Sequence, residues 1–596
     1  MSASEDKKSL KFDIFYILLL KNLRKWYIIL RQFFMRRNPM SYLEKYNAWR
    51  NSPDIDEADR AELVAIEGND TEIKERFISE LEFGTAGLRG ILGVGTNRMN
   101  KYIVRKATKG FAEYIKKAGE DACRRGVVIA HDNRRYSVEF CLETAGVLAA
   151  NGIKSFIFDS LRPTPELSFA VRELGAFGGV MITASHNPPE YNGYKLYDER
   201  GCQLVPELND QVVAEIAKIN DPLSVKAISR EEAGELITLL DSEVDEKYYA
   251  AVASISVTPD VKKNIKIVYS PQHGTGNGPV REVLSRFGYN VIPVEEQCYP
   301  NTEFENTKNP NPETDAAYEL SYEYAKKTDA DIIITTDPDC DRLGVAVKQD
   351  GEYKRMTGNQ SAAVLLKYIL ERKVEDGTLP KNGVMFNTIV TSDIGDCICK
   401  EYGIETEKTL TGFKFIGDKV YRHELAGDKV FVFGYEESYG CLIAPFVRDK
   451  DAVQASLMLC ESASYYHEQG KTLIDVLEEI YAKHGFYLDA LDNFAFKGID
   501  GGEKIAALVN GLRNDPPKSA AGMAVIEMED YESEAMLAKG YVKSNVLRFI
   551  LEDGSWIAVR PSGTEPKCKF YFSVRGKNRA EAEAKLPEIK KAFERV

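Results

Sequence analysis

Ser185 and His186 stand side by side after an apolar run, Val180-Met181-Ile182, and before Asn187-Pro188-Pro189. The run reads as a buried strand. The two prolines forbid an immediate helix and restrict Asn187 as well. A hydroxyl beside an imidazole, on a stiffened turn at the C-terminal end of a strand, is a candidate nucleophile. In open α/β sheets that edge is where ligands bind. The plainer reading is a turn whose serine and histidine satisfy backbone groups.

A second group follows the apolar run Asp331-Ile332-Ile333-Ile334. Asp337, Asp339 and Asp341 alternate along the chain, and Arg342 comes next. Neighbouring carboxylates repel unless a cation sits among them or protons are taken up. Hard oxygen donors without a His or Cys partner suit Mg²⁺. An EF-hand is excluded, because Arg342 stands where its glycine and Lys348 where its glutamate would be needed. A solvated acidic turn is the plainer alternative.

Smaller loops carry further chemistry. Phe83–Gly90 is glycine-rich and presents Arg89, a planar donor for a phosphate. Thr411-Gly412-Phe413-Lys414 is a short loop with one cation. Glu436 and Ser438 lie two apart after the apolar run Val430–Gly434, so an extended chain points both the same way, as an acceptor and a hydroxyl for sugar. Lys450 sits in Arg448-Asp449-Lys450-Asp451. Arg560-Pro561-Ser562-Gly563-Thr564 offers an arginine, two hydroxyls and a glycine N–H, a good phosphate cradle. Neither Pro271–Gly278 nor Gly470-Lys471-Thr472 is a Walker loop, since the first lacks the lysine and Tyr465 replaces the second's first glycine.

Alternating strands and helices must position these groups. A helix is expected over 102–125, with strands at Val127–Ala130, Lys154–Asp159 and Val180–Ile182. After Leu240 the pattern restarts with strands at Ile265–Tyr269 and Asp331–Ile334, and it restarts again at Val384–Val390 and Val430–Gly434. His131 and Asp132 read as a strand-end cap. The last stretch differs in texture: Glu552-Asp553-Gly554-Ser555 between alternating runs signals a hairpin, and a charged helix closes the chain.

The chain has 596 residues, enough for three or four domains, and its 44% hydrophobic and 29% charged content fits large cores in a globular protein. A net charge of -14 without a sustained basic face argues against nucleic acid as a partner. The 10 cysteines include no CxxC pair, so reduced buried thiols and a cytoplasmic location are expected. Residues 1–40 hold 9 Lys or Arg against 3 Asp or Glu around the apolar run Ile14–Leu20, which is too short to span a bilayer. We read them as an upstream extension, with the functional protein starting at Met35 or Met40. The alternative is a segment making weak membrane contact.

Thr183-Ala184-Ser185-His186-Asn187-Pro188, followed by Tyr191-Asn192-Gly193-Tyr194-Lys195, resembles the active-site loop of the α-D-phosphohexomutases, the phosphoglucomutases and phosphomannomutases. The other motifs occur in family order, and the resemblance covers roughly residues 41–596. It implies an α/β fold of four domains around a central cleft, three mixed α/β/α domains and a smaller C-terminal α+β domain. The expected boundaries are 41–240, 241–350, 351–485 and 486–596. It implies that Ser185 carries a phosphoryl group and that Mg²⁺ is held by Asp337, Asp339, Asp341 and a phosphate oxygen on Ser185. Arg89 then contacts the phosphoryl group. Lys195, Lys450 and His186 are the candidates for proton handling. Arg342, Lys414, Glu436 and Ser438 contact the substrate, and Arg560, Ser562, Gly563 and Thr564 hold its non-reacting phosphate. The activity implied is interconversion of glucose 1-phosphate and glucose 6-phosphate, with glucose 1,6-bisphosphate as intermediate and activator. A mannose or pentose phosphate is the runner-up substrate. A silent sugar-phosphate sensor would lack the serine or a metal aspartate, and both are intact here.

Overall fold

The computed structural model describes residues 40–84, 87–495, 501–561 and 567–594. They form two compact units, one of residues 40–80 with 93–98 and one of 81–92 with the rest. The first holds three helices, Tyr42–Asn51, Glu57–Ala65 and Asp70–Phe77. Ser41 and Glu44 close a capping box at the first. The Phe77 ring meets Tyr46 and Trp49 edge-on in its core.

The second unit contains four sheets. The first has strand order β1-β5-β4-β2-β3-β6, from β1 (Leu88–Ile91), β2 (Val127–His131), β3 (Ser155–Phe158), β4 (Gly178–Ile182), β5 (Tyr191–Asp198) and β6 (Ile237–Leu240). Strands β2, β3, β4 and β6 are parallel, while β5 runs against both β4 and β1. All of β2 and β4 is buried, as expected of parallel strands covered on both faces. The expected helix 102–125 is two, Lys101–Ala118 and Glu120–Arg125, because Gly119 between them takes φ 107°.

The second sheet is ordered β11-β10-β9-β7-β8: β7 (Ile267–Ser270), β8 (Val291–Pro293), β9 (Ile332–Thr336), β10 (Leu343–Gln349) and β11 (Glu352–Met356). It runs on to Met356, past the boundary expected at 350. The third is ordered β13-β12-β14-β15: β12 (Gly383–Thr388), β13 (Glu405–Thr409), β14 (Val430–Tyr435) and β15 (Cys441–Leu442). The fourth is antiparallel throughout its described pairings, ordered β16-β21-β20-β19-β18-β17: β16 (Phe486–Ala495), β17 (Ser519–Ala520), β18 (Met523–Asp530), β19 (Leu547–Leu551), β20 (Trp556–Pro561) and β21 (Lys567–Gly576). Helices Gly501–Asn514 and Arg579–Phe593 pack with it. One apolar cluster joins Ile389, Val390 and Leu410 of the third sheet's loops to Trp556, Ala558 and Tyr571 of the fourth sheet.

Three loops leave strand C-termini toward one region: 183–190 after β4, 337–342 after β9 and 436–440 after β14. Among the described residues, no helix is long and apolar enough to cross a membrane. Residues 1–39 lie outside the described residues.

Candidate functional site

Ser185 sits three residues beyond β4 with φ 52°, a left-handed conformation that costs a side-chain-bearing residue roughly 1–3 kcal/mol unless its surroundings hold it. They do hold it. Its N–H donates to Thr183 Oγ1 at 2.8 Å. The Arg134 guanidinium, which is buried, donates to the carbonyls of Ser185 at 2.6 Å, Pro188 at 2.8 Å and Tyr191 at 2.9 Å. Asp132 pairs with Arg134 at 3.2 Å, and its other oxygen accepts from Arg134 N and Ser137 Oγ. Gly193 of β5 is required beside this loop, since a Cβ there would lie 2.5 Å from the Thr183 carbonyl oxygen. The hydroxyl of Ser185 donates to Asp337 Oδ2 at 2.9 Å and lies 3.2 Å from His186 Nδ1. Burial, then the charges of Arg342 and Arg89, holds the His186 imidazolium well below its usual range, so the ring is neutral at pH 7.

The acidic loop begins where β9 ends. Ligand oxygens of Asp337, Asp339 and Asp341 lie within 4.8 Å of one another, and all three residues are buried. Burial and the charges of Asp339 and Asp341 push Asp337 well up. Burial would raise Asp339 too, but Lys195, donating to its Oδ2 at 2.9 Å, holds it well below the carboxylate range. Lys450 lies 3.0 Å from Asp341 Oδ2. Asp339 Oδ1 and Asp341 Oδ1 are buried without a hydrogen-bond partner. Two orphaned carboxylate oxygens in an all-oxygen cluster fit a hard divalent cation.

A cleft of about 600 Å³ opens over this loop. Arg89, Ser185, His186 and Lys195 reach it from the first sheet and its loops, and Asp341 and Arg342 from the second. Lys414, Glu436, Ser438 and Lys450 line it from the third domain, and Arg560 from β20 (Trp556–Pro561) of the fourth. Arg89 also donates to Asn187 Oδ1 at 3.1 Å. Asp337 and Asp339 are fully buried. Ser562, Gly563 and Thr564 lie outside the described residues.

Glu436 and Ser438 reach the cleft by a different route from the extended chain expected. Strand β14 ends at Tyr435, and Tyr439 takes φ 69°, so the two residues stand in a turn. Glu436 Oε1 accepts from Gly412 N at 2.8 Å, tying that turn to the start of helix Phe413–Ala426, whose first turn carries Lys414 where a loop was expected. Burial opposes a charge on Lys450, but Asp341, Asp449 and Glu436 hold its pKa well above the ordinary value, so it enters the cleft as a charged hydrogen-bond donor that keeps its proton. Burial, reinforced by Arg560, pulls Lys414 down to about 8.

Sequence reasoning missed several groups. Glu313 binds Arg342 at 2.6 Å and lines the cleft with Glu437 and Lys569. Glu313 ends the proline-rich stretch Asn309-Pro310-Asn311-Pro312-Glu313, which carries no catalytic or phosphate-binding motif of its own. Lys569 stands opposite Arg560 across β20 and β21, a pairing visible only once the register is known. Arg134 is held by carbonyls more than 50 residues away along the chain, beyond what any local motif signals.

Profiles described as phosphoglucomutase/phosphomannomutase match in chain order: alpha/beta/alpha domain I over 80–222, domain II over 246–351, domain III over 357–484 and the C-terminal domain over 508–588. The chain is 39% identical over 533 residues to a phosphoglucomutase of Staphylococcus epidermidis, covering 87% of this chain and 96% of the relative. It is 38% identical over 531 residues to one of Staphylococcus saprophyticus, covering 87% and 93%. In fold it is similar to a putative phosphomannomutase from Thermus thermophilus, with TM-score 0.65 at 24% identity over 87% of this chain and 99% of that one. It is likewise similar to the open form of the Paramecium phosphoglucomutase pp63/parafusin, with TM-score 0.65 at 19% identity over 86% and 94%.

Proposed function

The chain belongs to the phosphoglucomutase/phosphomannomutase family, and from that premise we propose that it interconverts glucose 1-phosphate and glucose 6-phosphate by relaying a phosphoryl group through Ser185. One observation carries the reading: a serine hydroxyl, 2.9 Å from the acidic cluster, opens onto the same cleft as Arg89, Lys195, Arg342 and Lys450.

Mg²⁺ is the cation the donor set fits; Asp337, Asp339, Asp341 and Ser185 would hold it, and when bound it neutralises charge on the phosphoryl group. Arg89 and Arg342 add fixed positive charge around the same group. A sugar hydroxyl oxygen attacks the phosphorus of phosphorylated Ser185. A new P–O bond forms to the sugar, the bond from phosphorus to Ser185 Oγ breaks, and the hydroxyl proton ends on Oγ. His186, neutral and 3.2 Å from Oγ, and Lys195 are the groups we assign to carry that proton. Lys450 supports the transfer as a donor. Glu436 and Ser438 grip sugar hydroxyls, with Lys414 beside them. Arg560 holds the non-reacting phosphate, together with Ser562, Gly563 and Thr564. The first transfer converts glucose 1-phosphate to glucose 1,6-bisphosphate. The bisphosphate turns around, its other phosphate returns to Ser185, and glucose 6-phosphate leaves. We place this work in the cytoplasm, a reading supported by ten cysteines that form no disulfide.

A coupled assay with glucose 1-phosphate, Mg²⁺ and a trace of the bisphosphate tests the reading. Ser185→Ala is expected to abolish turnover and to gain no phosphoryl mass when incubated with the bisphosphate. A fully active alanine variant would remove Ser185 as the relay. Mannose 1-phosphate and ribose 1-phosphate, run in parallel, decide the sugar.

A further inference from the structure

Three consecutive carbonyls of the acidic loop are each held by a different domain. The Pro338 carbonyl accepts from Thr275 N at 2.8 Å and Thr275 Oγ1 at 3.0 Å, in the turn entering helix Asn277–Arg286. The Asp339 carbonyl accepts from Thr164 N at 2.9 Å, at the start of helix Thr164–Glu173. The Cys340 carbonyl accepts from Ala452 N at 3.3 Å, at the start of helix Ala452–His467. Helix N-termini carry partial positive charge, so this convergence favours an anionic loop as well as fixing its path. Gly274 must lack a side chain for the approach, since a Cβ there would lie 2.4 Å from Pro338 Cα.

Of these contacts only Thr164 also touches a ligand carboxylate. Its hydroxyl, fully buried, donates to Asp339 Oδ2 at 3.1 Å. The Lys195 ammonium donates to the same oxygen at 2.9 Å. Oδ2 is therefore occupied by two donors from the first domain, while Oδ1 of the same carboxylate is buried with no partner. A carboxylate gripped by one oxygen from two directions cannot rotate freely, and its other, unpartnered oxygen is the one left for a cation. Lys195 alone is a flexible point charge on a four-carbon stem; a threonine hydroxyl on a helix's first turn has one short, stiff connection to the backbone.

From this geometry we propose that Thr164 is a positioning residue for the cation, orienting Asp339 so that Oδ1 faces the metal. The inference rests on the cation reading of the acidic loop given above. Thr164 touches neither the reacting atoms nor the cation position itself. It acts through Asp339, as outer partners of metal ligands do, and removing such a partner weakens metal affinity by about 10–100-fold.

The test titrates Mn²⁺ into the full chain and follows free Mn²⁺ by electron paramagnetic resonance, for wild type, Thr164→Val, Thr164→Ala and Thr164→Ser. Both hydroxyl-free variants are expected to raise the Mn²⁺ dissociation constant about tenfold or more. The serine variant, which keeps the donor, is expected to restore it to within about threefold of wild type. In kinetics the Mg²⁺ activation constant rises with them, while KM for glucose 1-phosphate stays put. Valine and alanine variants that bind Mn²⁺ within about twofold of wild type would overturn the proposal. So would failure of both to fold, by far-ultraviolet circular dichroism, because the hydroxyl would then serve the fold and not the carboxylate. A wild-type chain that binds no Mn²⁺ would overturn the cation reading itself, and this inference with it.

Discussion

At the scale of single residues, Lys414 is a cleft group whose charge changes within the ordinary range of pH, as does that of Glu437. Burial opposes its ammonium, and Arg560 repels it, bringing its pKa from 10.5 down to about 8. Below about pH 8 it is charged and attracts a phosphate; above, it is neutral. KM for glucose 1-phosphate should therefore climb as pH passes 8, and Lys414→Arg should flatten that rise, because arginine keeps its charge. A KM that ignores pH from 7 to 9.5 would remove Lys414 from phosphate binding. The sign for stability is opposite. Between about 8 and 10.5 the unfolded chain binds a proton that the folded chain has lost, so this group's contribution to the unfolding free energy of the ligand-free protein rises with pH there. What was legible at this scale was contiguous chemistry. Ser185-His186 and the Asp337-Asp339-Asp341 run declare themselves because each brings its reactive atoms together within one loop. Arg134, Thr164 and Glu313 do not, since each acquires its role from partners 29 to 175 residues away.

At the scale of elements, β4 and its loop depend on a buried ion pair at the end of β2. Arg134 has a fully buried side chain, Asp132 likewise, and the guanidinium holds the carbonyls of Ser185, Asn187 and Pro188 in the serine loop and of Tyr191 at the start of β5. Arg134→Met leaves Asp132 buried without its counter-ion and frees those carbonyls. Removing one partner of a buried pair costs about 3–5 kcal/mol. Urea unfolding of Arg134→Met should show a loss of that size, and Arg134→Met with Asp132→Asn should recover part of it, since the stranded charge is gone. If the single variant is as stable as wild type, the pair does not hold the loop. Read from sequence, this segment was a strand-end cap, which Asp132 does provide through Arg134 N and Ser137 Oγ. The clamp was invisible because carbonyl acceptors leave no residue signature. Strands and restarts were legible because buried parallel strands are continuous Val and Ile runs. Turn geometry was not: the left-handed Tyr439 that bends the Glu436–Ser438 loop, and Gly119 that splits one helix into two, are settled by packing.

At the scale of the whole second unit, the acidic loop is a junction. Thr275, Thr164 and Ala452, from three domains, donate their backbone N–H groups to Pro338, Asp339 and Cys340 in turn. Without a cation, three buried carboxylates repel one another, and that repulsion pushes on a loop whose carbonyls those N–H groups grip. A cation bound there removes the repulsion and, by linkage, stabilises the arrangement by RT ln(1 + [L]/Kd), about 2.7 kcal/mol at a hundredfold excess over Kd. The gain should be felt wherever the loop is anchored. In hydrogen exchange, adding Mg²⁺ should slow the amides of Thr164, Thr275 and Ala452 together, and Asp339→Asn should abolish the response at all three. Protection confined to residues 337–341 would mean that the cation rigidifies its own loop while the three helices stay energetically separate. Protection at all three anchors would mean that cation affinity is a property of how the domains are joined, which is why Thr164, far from the acidic run in sequence, can govern it.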